Sequence, residues 1–467
     1  MKGLSLKTPF SSYITPLTDI IMAPLSSDGT SQAKLPLRIL CLVMAYSFFK
    51  SFNPFLAYTV PYMVQIKGLT NFQITNKVSP ISTYAVLVFT LLVAPACEYV
   101  SYRVLIISGS FACLLGYLML RLGTTILSLQ IMQIISAWSG ASYFVYQAYL
   151  FLLVTENHFQ TMTSISQASS SMALFVSSEL GQILVLIGKP LNSLLYISMG
   201  SASIVCILSF MLPKEQSVNA GRPHFVLNIF STDQGFWSII RETWADKRLQ
   251  LLSLWWAFAL AGLELTLNYG TNLFEAIDSA STYNGQALAV GTAVAVLTAL
   301  SSVYLKKPMA KLGGFLYIIG SLIYGSMSLG LAYSNTIWSA YVLYVLMLGL
   351  EKLLICFVYA QCGSLVKNDR YALMFSFNCG VGQAVMAVLQ AVLEIAEVDV
   401  RGLYKVLGCY FFGIAFFFSI LYGVYVWKVR RVEIAFFDDV SVPNLIKVEP
   451  LHQPLIVDKE DNVMLKN

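Results

Sequence analysis

Charge is what this sequence has least of. Only 11% of its 467 residues are Asp, Glu, Lys or Arg, against roughly 25% in an average soluble domain. With 57% hydrophobic residues, that scarcity excludes a water-facing globular enzyme and a disordered chain. Histidine is nearly absent: His158, His224 and His452 are scattered, which argues against a metal cluster. The eight cysteines include no Cys-x-x-Cys pair. Most lie in apolar runs and read as small hydrophobes, not as a disulfide framework. Phosphate-loop, zinc-protease and serine-hydrolase signatures are missing, so neither an ATP-driven pump nor an enzyme is indicated, and no cofactor is implied. There is no Asn-x-Ser/Thr sequon, so N-glycosylation is not expected.

What is there is a succession of apolar runs, with a mean hydropathy of +0.70. A spanning helix needs about 20 mostly apolar residues. Twelve such spans read approximately as 38–60, 79–97, 104–121, 127–154, 164–187, 193–212, 249–271, 285–305, 312–332, 337–362, 371–396 and 404–427. The expected fold is an all-α polytopic membrane protein with twelve transmembrane helices. A polar tail over 1–36 lacks the basic and apolar regions of a cleaved signal peptide, so the first span is expected to target the chain. The longest polar interval, 213–248, divides a six-helix bundle over 37–212 from a second over 249–428. A tail over 429–467 follows.

Orientation follows from the basic residues. Of 29 Lys and Arg, 21 fall on the side of the termini and the 213–248 interval, and 6 on the other. Two, Lys50 and Lys352, sit inside spans. This asymmetry places both termini in the cytoplasm. The net charge of +5 is accounted for by these loops and calls for no nucleic acid. Two six-helix halves joined by a cytoplasmic linker is the plan of the major facilitator fold, by analogy of topology.

Ionisable residues inside spans are costly, so each is a candidate for function. Glu264, Asn268 and Asn272 recur every four residues and share one helix face. They suit the wall of a water-filled cavity, although Glu264 could instead pair with a lysine and tie helices together. Lys352 is a candidate anion contact, or else a local pair or a snorkelling cation. Lys50 precedes Asn53 and Pro54, and a first helix with Pro54 and Pro61 is expected to bend, as a gate or as a plain kink. Tyr143, Tyr146 and Gln147 share a face of the fourth span. Such rings suit stacking on a planar heterocycle, or ordinary packing. Glu179 and Glu394 read more readily as structural. The small residues over 164–171 read as close helix contact.

Several stretches resemble one family, the reduced folate and thiamine carriers. They are Thr75-Asn76, Ser82-Thr83-Tyr84, Leu180-Gly181-Gln182-Ile183-Leu184-Val185, Ser253-Leu254-Trp255-Trp256-Ala257-Phe258 with Ala261-Gly262, Leu267-Asn268-Tyr269, Tyr283-Asn284-Gly285, Arg370-Tyr371-Ala372-Leu373 and Asp399-Val400-Arg401-Gly402-Leu403. In order, they run from about Phe49 to Tyr425, nearly the whole membrane region. The resemblance implies a secondary vitamin carrier of the plasma membrane that works by alternating access, with a small heterocyclic solute and the lipid bilayer as its partners. The turn from Glu98 to Arg103 resembles the one that latches facilitator halves, or is an ordinary basic loop.

The departures from the family are as informative. Its Arg-Pro-x-Glu motif reads Asn53-Pro54-Phe55-Leu56 here. Positions where one branch or the other carries a charge read Tyr143, Leu288, Leu348 and Met386, while Glu98 keeps its acidic character. The expected substrate contacts are therefore Glu264, Asn268, Asn272, Tyr143, Tyr146, Gln147, Lys352, Lys50 and Asn53. The expected gating positions are Pro54, Pro61, Glu98 and Arg103. Folate, thiamine, another solute, or a sensor that transports nothing all remain open, as does the oligomeric state.

Overall fold

Twelve crossings need twelve apolar helices, and their ends need caps or tight turns, because lipid satisfies no backbone group. The computed structural model describes residues 37–69, 73–213, 236–278, 284–366, 370–396 and 398–440, and among these there is no strand. The first six-helix group comprises α1 (Leu37–Ser51) continued by α2 (Thr59–Gln65), then α3 (Ser79–Tyr99), α4 (Tyr102–Leu122), α5 (Ile126–Leu152), α6 (Phe159–Leu186) and α7 (Leu191–Met211). A short helix α8 (Phe236–Thr243) precedes the second group. That group is α9 (Lys247–Ile277), α10 (Asn284–Leu312), α11 (Phe315–Ala332), α12 (Ile337–Leu365), α13 (Tyr371–Ile395) and α14 (Val400–Val440). The described residues as far as Ile420 form one compact unit, and those from Leu421 to Val440, the end of α14, a second.

Among the described residues, nine helices are long and apolar enough to cross a membrane: α4, α6, α7 and α9 to α14. The other three expected spans are helical but irregular. The first is broken, since α1 stops at Ser51 and a 3₁₀ turn over Leu56–Tyr58 leads into α2. Pro54 forces the break, because its ring excludes the helical conformation of the preceding residue. Pro61 does no damage in the first turn of α2, where its missing N–H has no partner to lose. In α3 the apolar stretch is short, over Tyr84–Cys97. Helix α5 is long, but Gln130, Gln133, Ser136, Ser139, Ser142, Tyr143, Tyr146 and Gln147 make it too polar to score as a span.

The helix break is held by its neighbours. The Ser198 hydroxyl of α7 donates to Asn53 Oδ1 at 2.9 Å and accepts the Phe55 N–H at 3.3 Å. Tyr117 also hydrogen-bonds the Asn53 side chain. On the other flank Tyr58 Oη donates to Gln182 Oε1 at 3.1 Å. Next to it, Gly181 lets α6 touch the broken backbone: a Cβ there would lie 2.7 Å from the Pro54 carbonyl oxygen. Beyond the break, Lys67 closes the loop by donating to the Arg121 and Gly123 carbonyls at 2.8 and 2.7 Å. Partial burial, with Arg121 nearby, holds its ammonium below the usual lysine range.

Within the first group α1 packs on α6 and α7, and α5 on α3 and α4. Within the second, α12 packs on α9, α10 and α11, and α9 on α13. The interval expected as a plain polar linker contains α8, whose Ile239 is buried against Leu373 of α13. Arg370, 3% exposed, donates from Nη1 to the Glu242 carboxylate at 2.9 Å and to the Ile239 carbonyl. The last helix outruns its expected span, reaching Val440 instead of 427.

The Gly181 contact is testable. Gly181→Val drives a branched side chain into the Pro54 carbonyl, and is expected to cost about 1–3 kcal/mol. The check is the thermal unfolding midpoint of detergent-solubilised protein, which is expected to fall.

Candidate functional site

The two groups meet through α6 with α10 and α12, and through α13 with α3 and α5. The described side-chain contacts across this seam cluster at the end of the bundle where α1 begins. There Phe151 (α5) packs on Phe159 (α6), Tyr371 and Phe375 (α13), with ring centroids 4.8, 5.6 and 5.3 Å apart. Phe375 continues onto Trp256 (α9) and Tyr359 (α12) at 4.8 and 4.9 Å. Gly363 leaves room for the Phe151 ring, since a Cβ there would stand 2.6 Å from it.

Hydrogen bonds reinforce this aromatic plug. Gln160 Nε2 donates to Ser302 Oγ at 3.0 Å, and the Ser164 and Ser302 hydroxyls lie 2.5 Å apart. The Ala372 N–H donates to Tyr102 Oη at 3.2 Å, and Lys306 Nζ to the Asn157 carbonyl at 3.5 Å. Each aromatic pair contributes about 0.5–1.5 kcal/mol beyond its buried area. The seam is thus shut at one end by many small terms, none covalent.

Above the plug, at mid-helix, lies a charged cluster. Lys352 Nζ is 3.7 Å from Glu351 Oε1 on the same helix, α12. Glu264 of α9 lies within electrostatic reach of both. Lys352 also feels Tyr143 of α5, across the seam. Tyr359 feels Tyr143, Glu264 and Glu351 and touches the plug, so it joins the cluster to the seal. Two acids against one base leave the cluster one negative charge in excess when all three are ionised. Glu351 is 7% exposed and faces the interior of the second group, near Tyr324 and Tyr344. Lys352 and Glu264 are half-buried, and Asn268 and Asn272 further along α9 are exposed.

The remaining sequence-selected residues separate. Tyr143 is half-buried, its hydroxyl 3.2 Å from Ser170 Oγ. Tyr146 is fully buried in the first group, donating to the Val43 carbonyl at 3.1 Å and lying 2.8 Å from Ser47 Oγ. Lys50 Nζ donates to Ser139 Oγ at 2.5 Å, and Asn53 is taken up by Ser198 and Tyr117 as described. Gln147 is 2% exposed, and its amide oxygen and nitrogen make no hydrogen bond. Arg103 donates to the Phe210 carbonyl, joining the start of α4 to the end of α7. The Glu98 side chain lies outside the described residues. Sequence reasoning passed over Tyr359, Trp256, Phe151, Phe159 and Phe375. Their signal, aromatics near the same ends of five different helices, looks like ordinary apolar sequence until the helices are assembled. The polar run over 164–171 does mediate helix contact: Ser166 bonds Ser47, and Ser164 bonds Ser302 across the seam.

The family model described as "Reduced folate carrier" matches residues 36–224 and 224–405. The chain belongs to the reduced folate carrier family. Among curated relatives, mouse thiamine transporter 2 is 27% identical, covering 84% of this chain and 89% of its own length. The human reduced folate transporter is 26% identical over 78% of this chain and 67% of its own. Among solved structures, the major facilitator transporter FucP in its outward conformation aligns with a TM-score of 0.62 at 14% identity, covering 82% of this chain and 98% of FucP. The human organic anion transporter MFSD10 gives 0.57 at 14%, over 82% of this chain and 99% of its own. These likenesses establish the major facilitator fold.

The plug predicts a measurable gate. Phe375→Ala removes ring contacts to Phe151, Trp256 and Tyr359, a loss of about 3–5 kcal/mol at a buried site. The seal is expected to weaken, so that Cys379, one turn along α13 and fully buried, becomes reactive to a hydrophilic thiol reagent. Labelling in a variant retaining Cys379 as the sole cysteine checks this.

Proposed function

We propose that this protein is a secondary carrier that moves a small heterocyclic vitamin across the plasma membrane by alternating access. The observation that carries the reading is the seam between the halves, shut at the end where α1 begins by an aromatic plug with a charged cluster just beyond it. A carrier needs both: a substrate position near mid-membrane and a closure on one side of it. The bundles are taken as 37–212 and 249–428, joined by a linker over 213–248, with tails over 1–36 and 429–467. With both termini in the cytoplasm, as the basic residues require, the plug is the cytoplasmic seal and the described state faces outward.

In this reading Glu264 and Lys352 on one side, and Tyr143 on the other, receive the solute. Asn268 and Asn272 line its approach. Tyr143 offers a ring for stacking and Lys352 an anion contact, while Glu264 offers a carboxylate to a cation. Glu351 stands behind Lys352 as its resident counter-ion, which leaves Glu264 free to act on the solute. Breaking the plug and closing the opposite side around the break at Asn53-Pro54 would carry the solute through. Since α5 carries both Tyr143 and Phe151, and α12 both Lys352 and Tyr359, a solute held between them is mechanically tied to the seal.

A second reading has specific support. Two positions where the resemblance implies charge are apolar and buried here. Leu348 is 5% exposed and lies over the bare backbone of Gly291, and Met386 is 8% exposed. A member with so rewritten a site could bind a ligand and signal without flux.

Uptake separates the two. The chain is expressed in cells lacking these carriers, and uptake of labelled thiamine and of a reduced folate is measured side by side. Uptake of at least one is expected. Glu264→Ala together with Lys352→Ala is expected to lower it about tenfold or more, the loss of a charge-assisted contact. Uptake that survives both replacements rejects the site assignment. Surface expression with no uptake of either favours the non-transporting reading.

A further inference from the structure

Three buried polar side chains sit at the inner edge of the aromatic plug, and none has a hydrogen-bond partner in the sealed state. Gln147 lies four residues before Phe151 on α5, Thr163 four after Phe159 on α6, and Ser376 next to Phe375 on α13. Their exposures are 2%, 1% and 0%. Helical spacing puts Gln147 on the stripe that runs from Tyr143, beside the charged cluster, to Phe151 in the plug. Thr163 lies one residue from Ser164, which bonds across the seam to Ser302. Ser376 lies midway between Ala372, bonded to Tyr102 of the first half, and Gly380, packed against Leu91 of α3. All three lie within a turn of the rings that close the seam.

Buried polar groups are nearly always paired, and an exception calls for a cause. Gln147 is the plainest exception, because a carboxamide has a donor and an acceptor side by side and both are left over. Several other polar side chains in the same half are matched: Ser47 with Tyr146 and Ser166, Asn53 with Ser198, Lys50 with Ser139. The missing partner of Gln147 is then something that arrives when the rings part.

We propose that Gln147 is a specificity-determining contact that reads the amino edge of a planar heterocycle as the solute passes from Tyr143 into the opening plug. This rests on the carrier reading above and adds the class of solute edge recognised. A ring nitrogen beside an exocyclic amino group presents an acceptor and a donor. A glutamine amide meets that pair with two parallel hydrogen bonds, as it does on the edge of adenine. In a water-poor seam these bonds discriminate strongly, since a solute lacking the amino group leaves the amide unsatisfied again. Thr163 and Ser376 supply further hydroxyls to the ring or to water that follows it.

The test compares a vitamin with its analogue in which the ring amino group is replaced by hydrogen: thiamine, or the reduced folate, whichever the wild type takes up. The wild type is expected to favour the amino compound by at least about tenfold. Gln147→Met, matched in size, is expected to bring that ratio to about twofold or below while still reaching the cell surface. If Met impairs folding, Gln147→Leu is read in the same way. On purified wild-type protein, thermal stabilisation by the two compounds is expected to show the same preference. A wild type that takes up the vitamin without discriminating overturns this inference and leaves the carrier reading intact. So does a Gln147→Met protein with the wild-type ratio. A wild type that neither takes up nor is stabilised by either vitamin overturns both.

Discussion

A polar side chain at the middle of a bilayer has no water to bond to. It must find a partner on another helix or face a cavity, and that requirement organises this molecule. Hydroxyls and amides that the composition suggests are too numerous for a membrane core become the stitching between helices. Ser198 holds the break at Asn53, Ser321 receives the Trp255 indole N–H at 3.0 Å, and Ser253 receives the Asn378 amide at 3.0 Å. Among the described side chains that escape pairing are Gln147, Thr163 and Ser376, each within a turn of the rings that close the seam.

The charged cluster obeys the same rule with higher stakes, because an unpaired ion in low dielectric costs far more than an unpaired hydroxyl. Lys352 is compensated by the neighbouring Glu351 on its own helix, and Glu264 stands nearby from α9. This arrangement differs in kind from the pattern implied by the family resemblance, where charges sit at the positions of Asn53, Tyr143, Leu348 and Met386. This chain carries apolar or neutral side chains at those positions, and Lys352 lies one helical turn from Leu348. A family match therefore supports the fold and the kind of task while saying little about which solute fits.

The plug shows how a seal can be firm and reversible at once. It combines ring contacts drawn from α5, α6, α9, α12 and α13 with a few hydroxyl and amide bonds. Each term is small, and water replaces the hydrogen bonds when the seam opens. Glycines at Gly363 and Gly181 let side chain or backbone come close where a Cβ would stand in the way. Helix α8 adds a tether on the same side, since Glu242 meets the buried Arg370 at the start of α13, the helix that carries two of the plug rings.

The sequence by itself determined the solvent of this protein and its all-helical class, because hydropathy is a local property. It also singled out Glu264, Lys352 and Tyr143, because ionisable groups and family positions inside apolar runs are visible one residue at a time. Tertiary structure alone decided which of the selected residues meet. Tyr146, Lys50 and Asn53 were expected contacts like Tyr143, yet their described bonds all stay within the first half, while Tyr143 also reaches Lys352 across the seam. The plug was invisible for the same reason. Phe151, Phe159, Tyr359 and Phe375 belong to four helices, and in an apolar chain a phenylalanine at a gate reads no differently from one facing lipid. Only packing brings them to one point, because which face of a helix meets a distant helix is a property of the assembled bundle.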